Sequence, residues 1–155
     1  MKRGQKALTF IEIFLVVLIL GIMMAFAIPS LKKTYNNLQL NSAARDLQTF
    51  MNYLNERSIV EGKVIYLNID NEKKEYWAES INETTGVMET LKTYSFDRAI
   101  SAELSKKIVT DESRVLFYPD GQIDKVTIKL TDPDEQSISL TTEGTFGKTK
   151  ILPQE

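Results

Sequence analysis

The sequence contains no cysteine and no histidine. Without cysteine there is no disulfide framework and no thiol chemistry, and redox usage assigns no compartment. Without histidine the commonest general base and the commonest metal ligand are missing together, which weighs against an enzyme. What remains is ordinary in bulk: 155 residues, 43% apolar and 26% charged, enough for one modest domain and an appendage. Its distribution is uneven. From Ile13 to Ile28 sixteen residues pass without a charge or a hydrogen-bonding side chain, and only Thr9 and Glu12 interrupt the run back to Leu8.

A basic head of Lys2, Arg3 and Lys6 precedes this run. Such a start fits a cleaved secretory signal, a plain transmembrane anchor, or a short leader removed ahead of a retained apolar helix. The 21 residues from Leu8 to Ile28, at about 1.5 Å each, span the hydrocarbon core of a bilayer. They lead into Pro29 and an amphipathic pattern rather than into small residues at a cut site, so the apolar segment is expected to stay in the mature chain. Glu12 is the odd residue. An ionisable group in a membrane segment costs up to about 2.5–3.5 kcal/mol at mid-bilayer and less near an interface. It either reaches the headgroups or has a partner and a purpose.

Ala7-Leu8-Thr9-Phe10-Ile11-Glu12, the apolar run, Gly21 and Pro29 together closely resemble the class III signal of type IV prepilins and pseudopilins. The resemblance implies that a prepilin peptidase cuts between Ala7 and Leu8 and methylates the new amine of Leu8. It makes Glu12 the family's fifth-position assembly glutamate, and Gly21 and Pro29 its mid-helix glycine and helix-kinking proline. Two residues depart from the pattern, since Ala7 stands where glycine is usual and Leu8 where phenylalanine is usual. A cut after Gly4 is the alternative, but it shifts Glu12 and Pro29 out of register. Pro29 lacks an N–H and clashes with the preceding turn, so it either kinks the helix or ends the anchor.

From Leu31 the apolar residues Leu31, Tyr35, Leu38, Ala43, Leu47, Phe50 and Leu54 recur at three and four among polar ones, predicting a helix that stops at Gly62. Beyond Gly62 the period becomes two. Ile65, Leu67 and Ile69, then Val126, Ile128 and Leu130, then Ile138 and Leu140 alternate with polar residues, and further strands are predicted near 75–78, 90–96 and 114–118. Turn signals at Asp70-Asn71, Pro119-Asp120-Gly121, Asp132-Pro133-Asp134 and Glu143-Gly144 are spaced for hairpins. Residues 98–107 read equally as a helical turn or a loop. The fold class is therefore α+β, a long N-terminal helix packed on a small antiparallel β-sandwich head. Its segments are a leader over 1–7, a transmembrane and filament-core helix over 8–30, an amphipathic helix over 31–61, and the head over 62–155.

Phe117-Tyr118-Pro119-Asp120-Gly121, the strands at 125–131 and 137–141, and Glu143-Gly144-Thr145 are similar to the C-terminal pattern of the H-type minor pseudopilins of type II secretion and related minor pilins. This implies a structural, non-enzymatic subunit without a cofactor, in a helical hetero-oligomer of like subunits. Prepilin peptidase and an inner-membrane assembly platform are the implied further partners. The implied location is the bacterial inner membrane, single-pass, with the head periplasmic, and then the pseudopilus or pilus. The rival reading within the same fold is a DNA-binding minor pilin. Without Lys2, Arg3 and Lys6 the chain keeps 16 basic against 21 acidic side chains, a net of −5, which repels phosphate. Only Lys148 and Lys150 offer a local basic stripe. Asp132, Asp134 and Glu135 could lend oxygens to calcium, yet no D-x-D-x-D-G loop is present and an acidic turn is the plainer reading. Ser30-Leu31-Lys32-Lys33 matches the S-x-x-K of serine acyl-enzymes without its companion motifs. Tyr66, Tyr76 and Trp77 are expected in the sandwich core or at its rim.

Overall fold

Residues 10–82, 85–106, 114–142 and 148–152 are described by the computed structural model, the side chains of 25–30 and of Lys106 excepted. Helix α1 runs from Phe10 to Glu61, and its helical assignment is uninterrupted at Pro29. Gly62 ends it in the left-handed region at φ 67°, where a side chain is strained. The Lys63 N–H then donates back to the Ser58 carbonyl at 3.2 Å, satisfying an orphan carbonyl of the last turn. The chain divides into two compact units, Met1–Tyr35 and Asn36–Glu155.

The second unit holds eight strands: β1 (Ile65–Asp70), β2 (Glu75–Ile81), β3 (Met88–Ser95), β4 (Ser101–Lys106), β5 (Arg114–Phe117), β6 (Val126–Thr131), β7 (Ser137–Thr141) and β8 (Lys150–Leu152). They form two antiparallel sheets, ordered β3-β2-β1-β5 and β4-β6-β7-β8. Period-two alternation fixes which face of each is buried. In the first sheet Leu67 stands between Ala78 and Val115, and Ile65 between Ser80 and Phe117, all six buried. In the second, Ile128 pairs with Leu140 and Leu130 with Ile138, again all buried. Both faces share one core with Leu40, Ala44, Leu47, Phe50, Met51 and Leu54 of α1.

Three expectations need correction. The stripe of α1 that enters the core is Leu40, Ala44, Leu47, Met51 and Leu54, whereas Leu31, Tyr35 and Leu38 are exposed. Residues 101–106 are strand β4, paired along its length with β6. Its outer side is met at Ala102 by the Asn71 side chain, whose Oδ1 accepts the Ala102 N–H at 2.8 Å and whose amide donates to the Ala102 carbonyl. A side-chain amide thus imitates a neighbouring strand. Of the three aromatic residues expected in the core or at its rim, Tyr76 is buried, while Tyr66 and Trp77 are half-buried on the opposite face of the sheet. The Trp77 indole N–H donates to Glu79 there at 2.9 Å.

Tyr76 sits in an aromatic cluster with Phe50, Tyr94 and Phe96, at ring-centroid distances of 5.5, 5.5 and 4.6 Å. Burial pushes its phenol up to about 12, and the neighbouring charges of Asp46 and Tyr94 act in the same direction. The folded state keeps a proton that the unfolded chain loses near pH 10. This contribution is therefore complete below pH 10 and is lost as pH rises from 10 to about 12. Unfolding free energy should fall by about 2–3 kcal/mol across that window, and Tyr76→Phe should flatten the fall when both chains are unfolded in denaturant at stepped alkaline pH.

Candidate assembly surface

In the first unit, the thirteen large apolar side chains from Phe10 to Met24 are between 47% and 87% exposed. Ordinary monomers show contiguous apolar patches of a few hundred Å² at most, and larger ones mark sites of contact with protein or membrane. Glu12 is exposed within this surface and is the one charged residue between Phe10 and Met24. A Cβ added at Gly21 meets nothing within 4 Å, so nothing in its own chain packs where a larger side chain would go. Among the described residues no helix is long and apolar enough to cross a membrane. The expected span over Leu8–Ile28 includes residues 8 and 9 and side chains from 25 onward that lie outside the described residues, as do the Ala7–Leu8 junction and the side chains of Pro29 and Ser30.

In the second unit, α1 is fastened to the strand connections by a row of polar side chains. Asn36 donates to Asp134 Oδ2 at 2.8 Å and Gln39 to Asp97 Oδ2 at 2.9 Å. Gln48 donates to the Thr149 carbonyl at 2.8 Å, and Asn52 Oδ1 accepts the Thr149 N–H at 3.2 Å. The buried Ser58 hydroxyl reaches the Tyr118 carbonyl at 3.1 Å. These bonds are charge-assisted only at the two aspartates.

The acidic turn is one of these anchor points. Asp132 is buried, and its Oδ1 accepts the backbone N–H groups of Asp134 and Gln136, each at 2.9 Å. Its own N–H donates to the Gln136 carbonyl at 3.0 Å, closing the β6–β7 hairpin with Glu135 in the left-handed region at φ 63°. Asp134 points an oxygen at Asn36 rather than into a shared cluster. Among the described residues no three acidic groups converge as metal ligands. Lys148 and Lys150 are both exposed.

The sequence matches no protein-family model and no curated protein. Solved structures share its fold. Two structures of the minor pseudopilin EpsH from the type II secretion system of Vibrio cholerae superpose with TM-scores of 0.61 and 0.60, at 13% and 14% identity. They cover 74% and 76% of this chain and 96% and 95% of their own. The type IV minor pilin FimU of Pseudomonas aeruginosa strain PAO1 superposes with a TM-score of 0.58 at 15% identity, covering 76% of this chain and 90% of its own. At such identities the likeness is one of fold: a long N-terminal helix packed on antiparallel sheets, as the minor pseudopilin and minor pilin have it.

The Asp132 hairpin generates a direct test. Asp132→Ala removes the acceptor of two backbone N–H groups and should lower stability by about 1–3 kcal/mol. Urea unfolding should show this as an earlier midpoint with an unchanged slope.

Proposed function

We propose that this chain is a non-enzymatic minor pseudopilin or minor pilin, made as a membrane-anchored precursor, cut between Ala7 and Leu8, and built through its N-terminal helix into a helical filament of like subunits. The observation that carries this reading is the uncovered apolar surface from Phe10 to Met24 on a chain whose head has the minor-pilin fold. Burying one Val, Leu, Ile, Phe or Met side chain is worth about 1.5–3 kcal/mol. A surface of thirteen such residues calls for a bilayer before assembly and for other helices after it. The net charge of −5 without the leader's basic residues favours this subunit role over DNA binding.

The proposed leader cut leaves an α-amino group of ordinary pKa about 8 on Leu8. In a dry helix bundle this amine and the Glu12 carboxylate of a neighbouring subunit neutralise one another, and a stagger that pairs them sets the axial register. Gly21, with open space where its Cβ would be, suits close approach by another helix. Prepilin peptidase, the inner-membrane assembly platform and other pilin-like subunits are the partners this scheme requires. The head then faces the periplasm.

Co-expression with a prepilin peptidase should yield a chain that begins at Leu8 and carries one N-methyl group, as read by N-terminal mass spectrometry. A mature end at Met1, or beyond Pro29, would sink the proposal. A second test concerns Glu12. Glu12→Ala relieves the carboxylate's own burial in the membrane, so insertion and cleavage should proceed as in the parent. In the filament it strands a neighbour's amine, and stripping one partner from a buried pair costs about 3–5 kcal/mol. Incorporation into the filament fraction should therefore collapse while the membrane pool stays intact.

A further inference from the structure

The head carries a small acidic cavity that none of the scheme above uses. Its volume is about 190 Å³, and it is lined by Gln39, Ser42, Ala43 and Asp46 of α1, Tyr76 of β2, and Ser95, Phe96, Asp97 and Ile100 along the β3–β4 connection. Pockets for drug-sized ligands begin at about 300 Å³, so this one matches a single side chain. Two carboxylates stand in the lining, and no cationic side chain does. Asp97 accepts hydrogen bonds from the Gln39 amide at 2.9 Å and the Ala99 N–H at 3.0 Å, both neutral donors. Asp46 makes no hydrogen bond or ion pair among the described residues. The Lys74 ammonium is held on the Ile100 carbonyl at 2.9 Å.

A second feature points the same way. Tyr76 is 4% exposed and lines the cavity, and its hydroxyl makes no hydrogen bond among the described residues. The hydroxyl oxygen is not sealed among protein atoms, so it faces the cavity, where a donor from outside can reach it. The carboxylate of Asp46 lies close enough to disfavour loss of the phenol's proton, second only to burial itself. The cavity thus presents two negative charges, a free hydroxyl oxygen and the aromatic pair Tyr76 and Phe96, whose centroids are 4.6 Å apart.

We propose that this cavity is a socket for one arginine side chain projecting from a neighbouring protein subunit. A guanidinium carries five N–H donors in a plane, is weakly hydrated and tolerates aromatic surroundings, which matches carboxylates, a hydroxyl oxygen and rings in one small space. The compact, strongly hydrated ammonium of lysine fits the charges alone. That the owner of the arginine is a filament neighbour rests on the subunit reading; the chemistry of the socket does not.

The test uses the isotope-labelled full chain in detergent micelles, titrated with N-acetylarginine methylamide and followed by amide NMR. Saturable shifts are expected at Gln39, Ser42, Asp46, Tyr76, Asp97 and Ile100. Affinity should fall about tenfold in Asp46→Asn and again in Asp97→Asn, the cost of one charge-assisted hydrogen bond each. It should vanish in Ser42→Trp, which fills the mouth from an exposed helix position while circular dichroism stays unchanged. The norleucine analogue should give no shift at these residues and the lysine analogue a weaker one. Equal response to norleucine or lysine, shifts scattered over the surface, or indifference to both asparagine variants overturns the socket. Failure here together with a correct Leu8 terminus and an assembly defect in Glu12→Ala removes the socket and leaves the subunit reading standing.

Discussion

One face of one helix is the wall on which two separate sheets must both close. Leu40, Ala44, Leu47, Met51 and Leu54 are completely buried, and the inner rows of both sheets meet them in a single core. A two-stranded hairpin is marginal in water, and neither four-stranded sheet has a second face to bury. The helix therefore supplies the common hydrophobic partner of the β3-β2-β1-β5 and β4-β6-β7-β8 sheets. The polar row of Asn36, Gln39, Gln48, Asn52 and Ser58 fixes the strand connections along the same helix. Each such bond adds only about 0.5–1.5 kcal/mol, so this row sets register rather than supplying the bulk of stability.

Elements governed by local rules were legible in the sequence. Gly62 stops α1 because only a residue at ease at positive φ can turn the chain there, and the strands with strict alternation fell where their inner rows required. Strand β4 was not legible. Its apolar residues Ala102 and Leu104 do alternate, with Ile100 just before them, but its edge is completed by Asn71, thirty-one residues away, and no local signal announces that. The stripe of α1 was misplaced for a related reason. Leu31, Tyr35 and Leu38 continue a helical period as well as Leu40 and Ala44 do, and which set is buried depends on where the sheets lie.

The same division holds for function. The proposed leader junction and Glu12 are suggested by residue type and spacing in an otherwise apolar run, and the Ala7–Leu8 junction lies outside the described residues. The acidic cavity is invisible in sequence, since Asp46, Tyr76 and Asp97 become neighbours only when α1, β2 and the β3–β4 connection are folded together. Asp132, which reads as a possible ligand, instead holds the hairpin of which it is part.

A protein that exposes this much apolar helix must not also associate through its sheets, and each of the four sheet edges is guarded in a different way. Long, flat free edges pair with other chains unless charge, irregularity, cover or brevity prevents it. On β3 the register shifts between Ala78 and Glu79, and Lys92, paired with the buried Ala78, lies on the inner row with its ammonium 4.8 Å from the Tyr94 ring. A strand added beside it would crowd that charge. On β5 the four residues are partly covered by the Phe117–Ile123 bridge. On β4 Asn71 occupies the Ala102 peptide, and β8 is three residues long. Pairing through the backbone is thus discouraged at every edge, while the thirteen exposed apolar side chains from Phe10 to Met24 still require cover. Side-chain packing on that helix remains open to association, and in the proposed scheme the one charge at Glu12 sets its stagger.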